Sequence, residues 1–167
     1  MDIYLKNPVW GRDANNSSNI HYDAKLSMNI ITSRGCPYSC KFCYDLFDLN
    51  TYRMRSTDSV INEIKILKER YNIDFVGFLD NNTTANPRWT NEFCDKMIRQ
   101  DINIKWGGSA RVNNVSPELL DKMQKAGCVW IGYGVESGSQ TILDNMNKKI
   151  TPAKASYAIK ITRESGL

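Results

Sequence analysis

The sequence lacks any apolar run long enough to span a membrane, and its first residues lack an export signal. Residues 1–16 have no basic start, no apolar centre and no small-residue cleavage site. Apolar residues make up 41% and charged residues 24% of the 167 positions, which is ordinary for one folded domain. We therefore expect a cytoplasmic protein without a membrane anchor.

Charge and histidine are also sparse. The chain has 22 basic and 18 acidic residues, and its net charge of +4 is scattered without a dense basic block. It therefore gives no clear nucleic-acid signal. The single histidine, His21, lies in an irregular Asn-rich stretch and is assigned no role. We predict that residues 1–25 are an extension or linker and that residues 26–167 form the folded domain.

Strand-like and helix-like segments alternate from Leu26 onward. Apolar runs predict four strands, at 26–33, 73–80, 102–110 and 128–137. Asp58 is expected to cap the first helix. Three later helices should begin where a capping residue precedes a proline, at Asn86-Pro87, Ser116-Pro117 and Thr151-Pro152. Four βα units predict a parallel sheet with helices outside, doubly wound or barrel-like, whose fourth strand, 129–135, is an exposed edge.

Three of the five cysteines crowd into one loop. Cys36, Cys40 and Cys43 have the spacing Cys-x3-Cys-x2-Cys, which in a reducing compartment indicates metal binding or thiol chemistry rather than disulfides. A structural zinc site normally needs a fourth ligand, and none is obvious. A [4Fe-4S] cluster on three thiolates would keep one iron open. Cys94 and Cys128 are expected to be buried core thiols.

This loop and three later segments resemble the radical S-adenosylmethionine (SAM) enzymes, closest to the branch often joined to a cobalamin-binding domain. The segments are, in order, SRGCPYSCKFC, GFLDNN, WGGSAR and GYGVESGSQTILDNMNK. The resemblance implies a partial TIM-like barrel, with about four of the six βα units of the family's core. The C-terminal part of the barrel and the cobalamin domain are expected to be missing from this chain.

The resemblance also implies the cofactors. Cys36, Cys40 and Cys43 would hold a [4Fe-4S] cluster whose open iron is chelated by SAM. An external donor of flavodoxin or ferredoxin type would supply an electron, and SAM would be cleaved to methionine and a 5′-deoxyadenosyl radical. That radical would abstract a hydrogen atom from an unknown substrate. Cobalamin would enter only with a partner or a missing domain.

Further residues are implied as SAM contacts because they lie in the loop or at strand ends: Phe42, Tyr44, Asp80, Asn81, Ser109, Arg111 and Glu136. Arg111 would pair with the SAM carboxylate, and acidic or amide oxygens would accept from its ammonium and hydroxyls. The second strand ends in Leu-Asp-Asn-Asn, where many family members have Gly-Gly-Glu. Structural alternatives are a turn at Asp80, a helix cap at Glu136 and a surface ion pair at Arg111. The pair Lys148 and Lys149 is expected to be solvated.

Two other functions stay open for the chain. One is a fragment of a cobalamin-dependent radical SAM methyltransferase, and the other is a non-catalytic iron–sulfur or electron-transfer module. Addition of SAM separates the module from an enzyme, because only the enzyme would change its cluster spectrum and form 5′-deoxyadenosine.

Overall fold

A four-stranded parallel sheet forms the centre of the structure, a computed structural model that describes residues 26–43 and 52–167. The strands are β1 (Ser27–Ile30), β2 (Ser33–Arg34), β3 (Arg53–Met54), β4 (Phe75–Phe78), β5 (Lys105–Ala110) and β6 (Cys128–Tyr133). β1, β4, β5 and β6 pair in that order, all parallel, while β2 and β3 form a separate antiparallel ribbon. The predicted order of the four parallel strands is confirmed.

A helix follows each parallel strand along the chain. The helices are α1 (Thr57–Tyr71), α2 (Pro87–Arg99), α3 (Pro117–Lys125), α4 (Gln140–Asn145) and α5 (Pro152–Glu164), with a 3-10 turn at Val112–Asn114. The bounds of the short helix α4 were not predicted, because six residues are too few to display a helical period. Its cap position is Ser139, so the alternative interpretation of Glu136 as a helix cap is wrong. None of the helices in the described part of the chain is long and apolar enough to cross a membrane.

Capping residues fix where the helices begin. Asn86, Ser116 and Thr151 each accept a hydrogen bond from a backbone N–H of the first turn, at 3.2, 3.3 and 3.1 Å, as predicted. The prediction for α1 is wrong, because its cap is Ser56, whose hydroxyl accepts from the Ser59 N–H at 3.2 Å. Asp58 lies in the first turn instead, and its carboxylate pairs with Lys96 at 2.6 Å.

An aromatic cluster packs the sheet against α2. The Phe78 and Trp106 rings stack at a centroid distance of 5.1 Å, and Phe93 meets the Trp106 ring edge-on at 5.3 Å. Cys94 and Cys128 are buried in the same core, as predicted from their apolar surroundings. Burial of these large side chains is the main force that holds the helices on the sheet.

A smaller core supports the chain after β6. It joins the 3-10 turn to α4 and α5 through Val112, Leu143, Ile150, Ala155 and Ala158. This packing fixes the turn that connects α4 to α5, and that turn lies beside the cysteine loop.

β6 is an edge of the sheet. Within residues 26–43 and 52–167 it pairs only with β5, from Cys128 to Tyr133. The predicted edge is thereby confirmed, although it ends two residues before the predicted limit, Val135. Edge strands of this kind carry unpaired backbone groups that can accept another strand.

We expect Gly127→Ala to destabilise the fold strongly. Gly127 has φ +93°, and an added Cβ would lie 2.5 Å from the Ile104 carbonyl oxygen. Strain of this kind costs about 1–3 kcal/mol, measurable as a lower midpoint of urea unfolding. Gly138→Ala is the matched control, because a Cβ there meets no atom within 4 Å. Equal midpoints for the two variants would contradict the role of Gly127.

Candidate functional site

The three clustered cysteines follow β2, at the carboxyl end of the parallel sheet. Cys36 and Cys40 are half-buried and Cys43 is exposed, and the Cys43 N–H donates to the Cys40 carbonyl at 3.1 Å. Burial is the largest cause that raises the pKa of Cys36, and negative charge at Cys43 and Cys40 raises it further. A backbone hydrogen bond from Tyr38 and the positive charge of Arg111 lower the pKa of Cys36 in part. The three thiols and one guanidinium therefore share one electrostatic environment.

The donor set can be compared with the metal centres that thiols bind. In the described segments, no three His, Cys, Asp or Glu side chains come together closely enough to hold one metal ion. A [4Fe-4S] cluster sets a different requirement, because each thiolate binds a different iron, whereas ligands of one zinc ion all lie about 2.0–2.3 Å from a single centre. Three thiols on one loop beside a buried cation fit a thiolate-bound cluster, whose total charge is negative.

Arg111 lies against the cysteine loop and is only 6% exposed. Its Nη1 donates to Cys40 Sγ at 3.1 Å, and its Nη2 donates to the Lys148 carbonyl oxygen. The Arg111 Cζ lies 3.8 Å from the centroid of the Tyr38 ring, a cation–π contact. Arg111 is therefore no surface ion pair, and its guanidinium is held beside a candidate cluster ligand.

A turn at residues 146–149, which we call the anchoring turn, holds the cysteine loop from the other end of the chain. The Lys41 N–H donates to the Met146 carbonyl at 2.9 Å. Asn147 Nδ2 donates to the Ser39 carbonyl at 2.8 Å and lies 3.1 Å from the Ser39 hydroxyl oxygen. Asn147 has φ 53°, a left-handed conformation that asparagine tolerates better than most residues. The loop is thus pinned through both its backbone and a side chain.

Lys148 is a residue whose position the sequence analysis predicted wrongly. It is 5% exposed, its Nζ lies 3.0 Å from Glu136 Oε1, and the same atom lies 5.2 Å from the centroid of the Phe42 ring. Lys149 is exposed, as predicted. Lys148 differs because the anchoring turn folds back onto the loop, where the carboxylate of Glu136 offsets its charge. Phe42 and Glu136, two predicted SAM contacts, are brought together through this lysine.

Asp80 forms hydrogen bonds that stabilise the fold around the cysteine loop. Its buried carboxylate accepts from the backbone N–H groups of Thr32 and Ser33, both at 2.8 Å, and from the Thr32 hydroxyl. These bonds tie the end of β4 to the chain that enters the cysteine loop. Asn81 and Ser109 are exposed near the carboxyl ends of β4 and β5. Tyr44 lies outside the described residues.

Sequence reasoning missed four residues that organise the loop: Tyr38, Asn114, Asn147 and Lys148. The Tyr38 hydroxyl donates to Asn114 Oδ1 at 2.9 Å, which fixes the ring that stacks on Arg111. The sequence held one signal for Asn147 and Lys148, because the last of the four segments that resemble the radical SAM family ends at Lys148. No local pattern linked Asn147 to a loop 108 residues earlier in the chain.

A partial parallel α/β barrel with a three-cysteine loop at its carboxyl end defines the class of this protein. The sequence model of the Radical SAM superfamily matches residues 30–167, which include β4, β5, β6, the cysteine loop and the anchoring turn. The chain therefore belongs to the Radical SAM superfamily.

Two curated relatives are similar to most of this chain. An uncharacterized methyltransferase of Pyrococcus horikoshii is 33% identical over 139 residues, which cover 83% of this chain and 30% of the relative. The anaerobic magnesium-protoporphyrin IX monomethyl ester cyclase of Cereibacter sphaeroides is 36% identical over 139 residues, 81% of this chain and 23% of the relative. The chain thus spans less than a third of the length of these relatives.

A solved structure supports the architecture. The cobalamin-dependent S-adenosylmethionine radical enzyme OxsB, with aqua-cobalamin bound, matches with a TM-score of 0.76 at 23% identity. The match covers 83% of this chain and 22% of that one. The predicted family and the partial TIM-like barrel are confirmed.

We expect Asn147→Gly to loosen the cysteine loop without unfolding the protein. Glycine keeps the left-handed backbone but removes the amide that binds Ser39. Loss of this bond should speed hydrogen exchange of the loop amides, including Lys41, roughly two- to tenfold. Asn72→Gly is the matched control, because Asn72 also has a left-handed backbone, φ 52°, but lies at the end of α1. Equal loop exchange in both variants would contradict the anchoring role.

Thiol reactivity should follow burial. At pH 8 we expect iodoacetamide to modify the exposed Cys43 and to spare Cys94, since burial raises the pKa of Cys94 to about 12 and the thiolate is the reactive form. Burial raises the pKa of Cys128 as well. Mass spectrometry of the native protein and of protein in urea gives the comparison. Modification of Cys94 in native protein as fast as in urea would argue against its placement in the core.

Proposed function

We propose that this chain is the cluster- and SAM-binding part of a radical SAM enzyme. The observation that carries the proposal is the Cys-x3-Cys-x2-Cys loop, which lies at the carboxyl end of the partial parallel barrel and against buried Arg111. Ligand sites of parallel α/β folds generally lie at that end of the sheet. The substrate of the whole enzyme is unknown.

Cys36, Cys40 and Cys43 would bind a [4Fe-4S] cluster through their thiolates. When bound, the cluster would supply the electron for the reductive cleavage of SAM, which it would receive from an external donor of flavodoxin or ferredoxin type; the 5′-deoxyadenosyl radical expected from that cleavage would abstract hydrogen from the substrate. Three protein thiolates leave one iron without a protein ligand, which provides the position for SAM. The anchoring turn and Asp80 would keep the loop in place from two sides.

SAM would lie along the strand ends beside the loop. Asn81 and Ser109 are exposed there and can offer oxygen acceptors to the ammonium or ribose hydroxyls of SAM. We favour Asn81 over Asp80, since both carboxylate oxygens of Asp80 already accept hydrogen bonds from Thr32 or Ser33. Glu136 is partly exposed, and its carboxylate is oriented by Lys148. Glu136 and Phe42, which Lys148 also contacts, are therefore both candidate SAM contacts.

A cobalamin-dependent methyltransferase is the second candidate function. It is favoured by the names of two similar proteins: the Pyrococcus horikoshii relative is called a methyltransferase, and OxsB is described as cobalamin-dependent. Cobalamin would then be supplied by a partner chain or by a part of the protein outside this sequence. In this case too, the cysteine loop would bind the cluster and SAM.

Anaerobic reconstitution tests the proposal. We expect about four irons per chain, and loss of iron binding in Cys36→Ala, Cys40→Ala and Cys43→Ala. Cys94→Ala and Cys128→Ala are controls that should keep their iron, because both thiols are buried in the core. After reduction with dithionite, SAM should change the electron paramagnetic resonance spectrum and yield 5′-deoxyadenosine.

Two outcomes would contradict this function. A colourless protein that binds zinc with the same three cysteines would identify a structural metal site. A full iron complement whose spectrum ignores SAM and which yields no 5′-deoxyadenosine would identify an electron-transfer module.

A further inference from the structure

Arg111 is a buried cation that lacks an acidic partner in the described part of the chain. The ion pairs found there involve other residues, and the Arg111 Nε is buried without a hydrogen-bond partner. Lys148 is buried nearby, but its charge is balanced by Glu136. Burial of an unpaired charge costs free energy, so an anion close to the buried guanidinium would stabilise it.

The contacts of Arg111 point to that anion. Its Nη1 donates to Cys40 Sγ at 3.1 Å, the Tyr38 ring covers one face at 3.8 Å, and its Nη2 is held by the Lys148 carbonyl. Tyr38 is itself fixed by its bond to Asn114. The guanidinium is therefore oriented from several sides, with one donor directed at a candidate ligand sulfur.

We infer that Arg111 is a positioning residue that raises the reduction potential of the cluster through its hydrogen bond to Cys40. The inference rests on the proposed function, because it assumes that Cys40 is a cluster ligand. Reduction transfers one electron from the external donor to the cluster, and no bond forms or breaks. Arg111 would favour the reduced form, since a positive donor at a ligand sulfur stabilises the added negative charge.

This role differs from the one that the sequence resemblance implied, in which Arg111 pairs with the carboxylate of SAM. A residue that acts only by binding the SAM carboxylate would change the affinity for SAM far more than the potential of the SAM-free cluster. A residue that acts on Cys40 shifts that potential before SAM is added. The two roles therefore predict different measurements on the same variants.

The test compares reconstituted wild type with Arg111→Gln, Arg111→Lys and Arg163→Gln. Gln removes the charge, Lys keeps the charge but loses the planar fork, and Arg163 is an exposed arginine on α5 that controls for net charge. The readout is the midpoint potential without SAM, from a mediator titration followed by electron paramagnetic resonance. We expect Arg163→Gln to have the same midpoint potential as wild type. The potential of Arg111→Lys should be more negative, and that of Arg111→Gln should be the most negative.

An unchanged potential in Arg111→Gln would overturn the inference, whether or not SAM binding is weakened. If Arg111→Gln does not fold, Arg111→Lys decides the question by the same criterion. If wild type takes up no iron, the proposed function fails and the inference fails with it. Iron uptake with an unchanged potential in Arg111→Gln overturns the inference alone, so the two failures are distinguishable.

Discussion

Parallel pairing of β1, β4, β5 and β6 is the constraint on which the rest of the structure depends. Because the strands run the same way, their carboxyl ends meet at one edge of the sheet. The residues that follow them, from the cysteine loop to Asp80, Arg111 and Glu136, are therefore delivered to one region from distant parts of the sequence. The aromatic core between the sheet and α2 stabilises this pairing.

Electrostatics distinguishes two buried cations at the site. Lys148 forms an ion pair with Glu136, and this pair sits next to the Phe42 ring without adding net charge. Arg111 has no such balance among the described residues, and its charge acts on the thiols of the loop. Arg111 thus adds an unbalanced positive charge beside the cysteine loop, while the neighbouring Lys148–Glu136 pair contacts the loop at Phe42.

Patterns of local origin made much of the fold predictable. The capped prolines located three helix starts, and apolar runs located the four strands, but each strand proved shorter than its run. For β4 and β5, the difference at the amino end comes from Ile73, Ile102 and Ile104, which are buried in the core yet precede the strands. Composition marks burial, whereas strand limits depend on backbone pairing, which one sequence does not reveal. The cap at Ser56 was missed because serine and aspartate are equally common helix caps, so the sequence alone did not distinguish Ser56 from Asp58.

The site was predictable only where a motif named its residues. The cysteine spacing identified the loop, but the burial of Lys148 and the contact between Asn147 and Ser39 arise from tertiary folding. A left-handed turn has a weak signature when it uses asparagine, because the same residue is common in ordinary surface turns. Arg111 was placed near the site by its strand, but its partner, Cys40, could be found only from the folded chain.

The distance along the chain between the cysteine loop and its anchor has a consequence for synthesis. Asn147 follows Ser39 by 108 residues, so a ribosome working at 5–20 residues per second makes the loop about 5–20 s before the anchoring turn. During that interval the three thiols exist on a nascent chain without their main backbone restraint. Under the proposed function, iron–sulfur assembly machinery would meet a fully held loop only after the anchoring turn has been translated, and cluster insertion would then be a late event in the maturation of the protein.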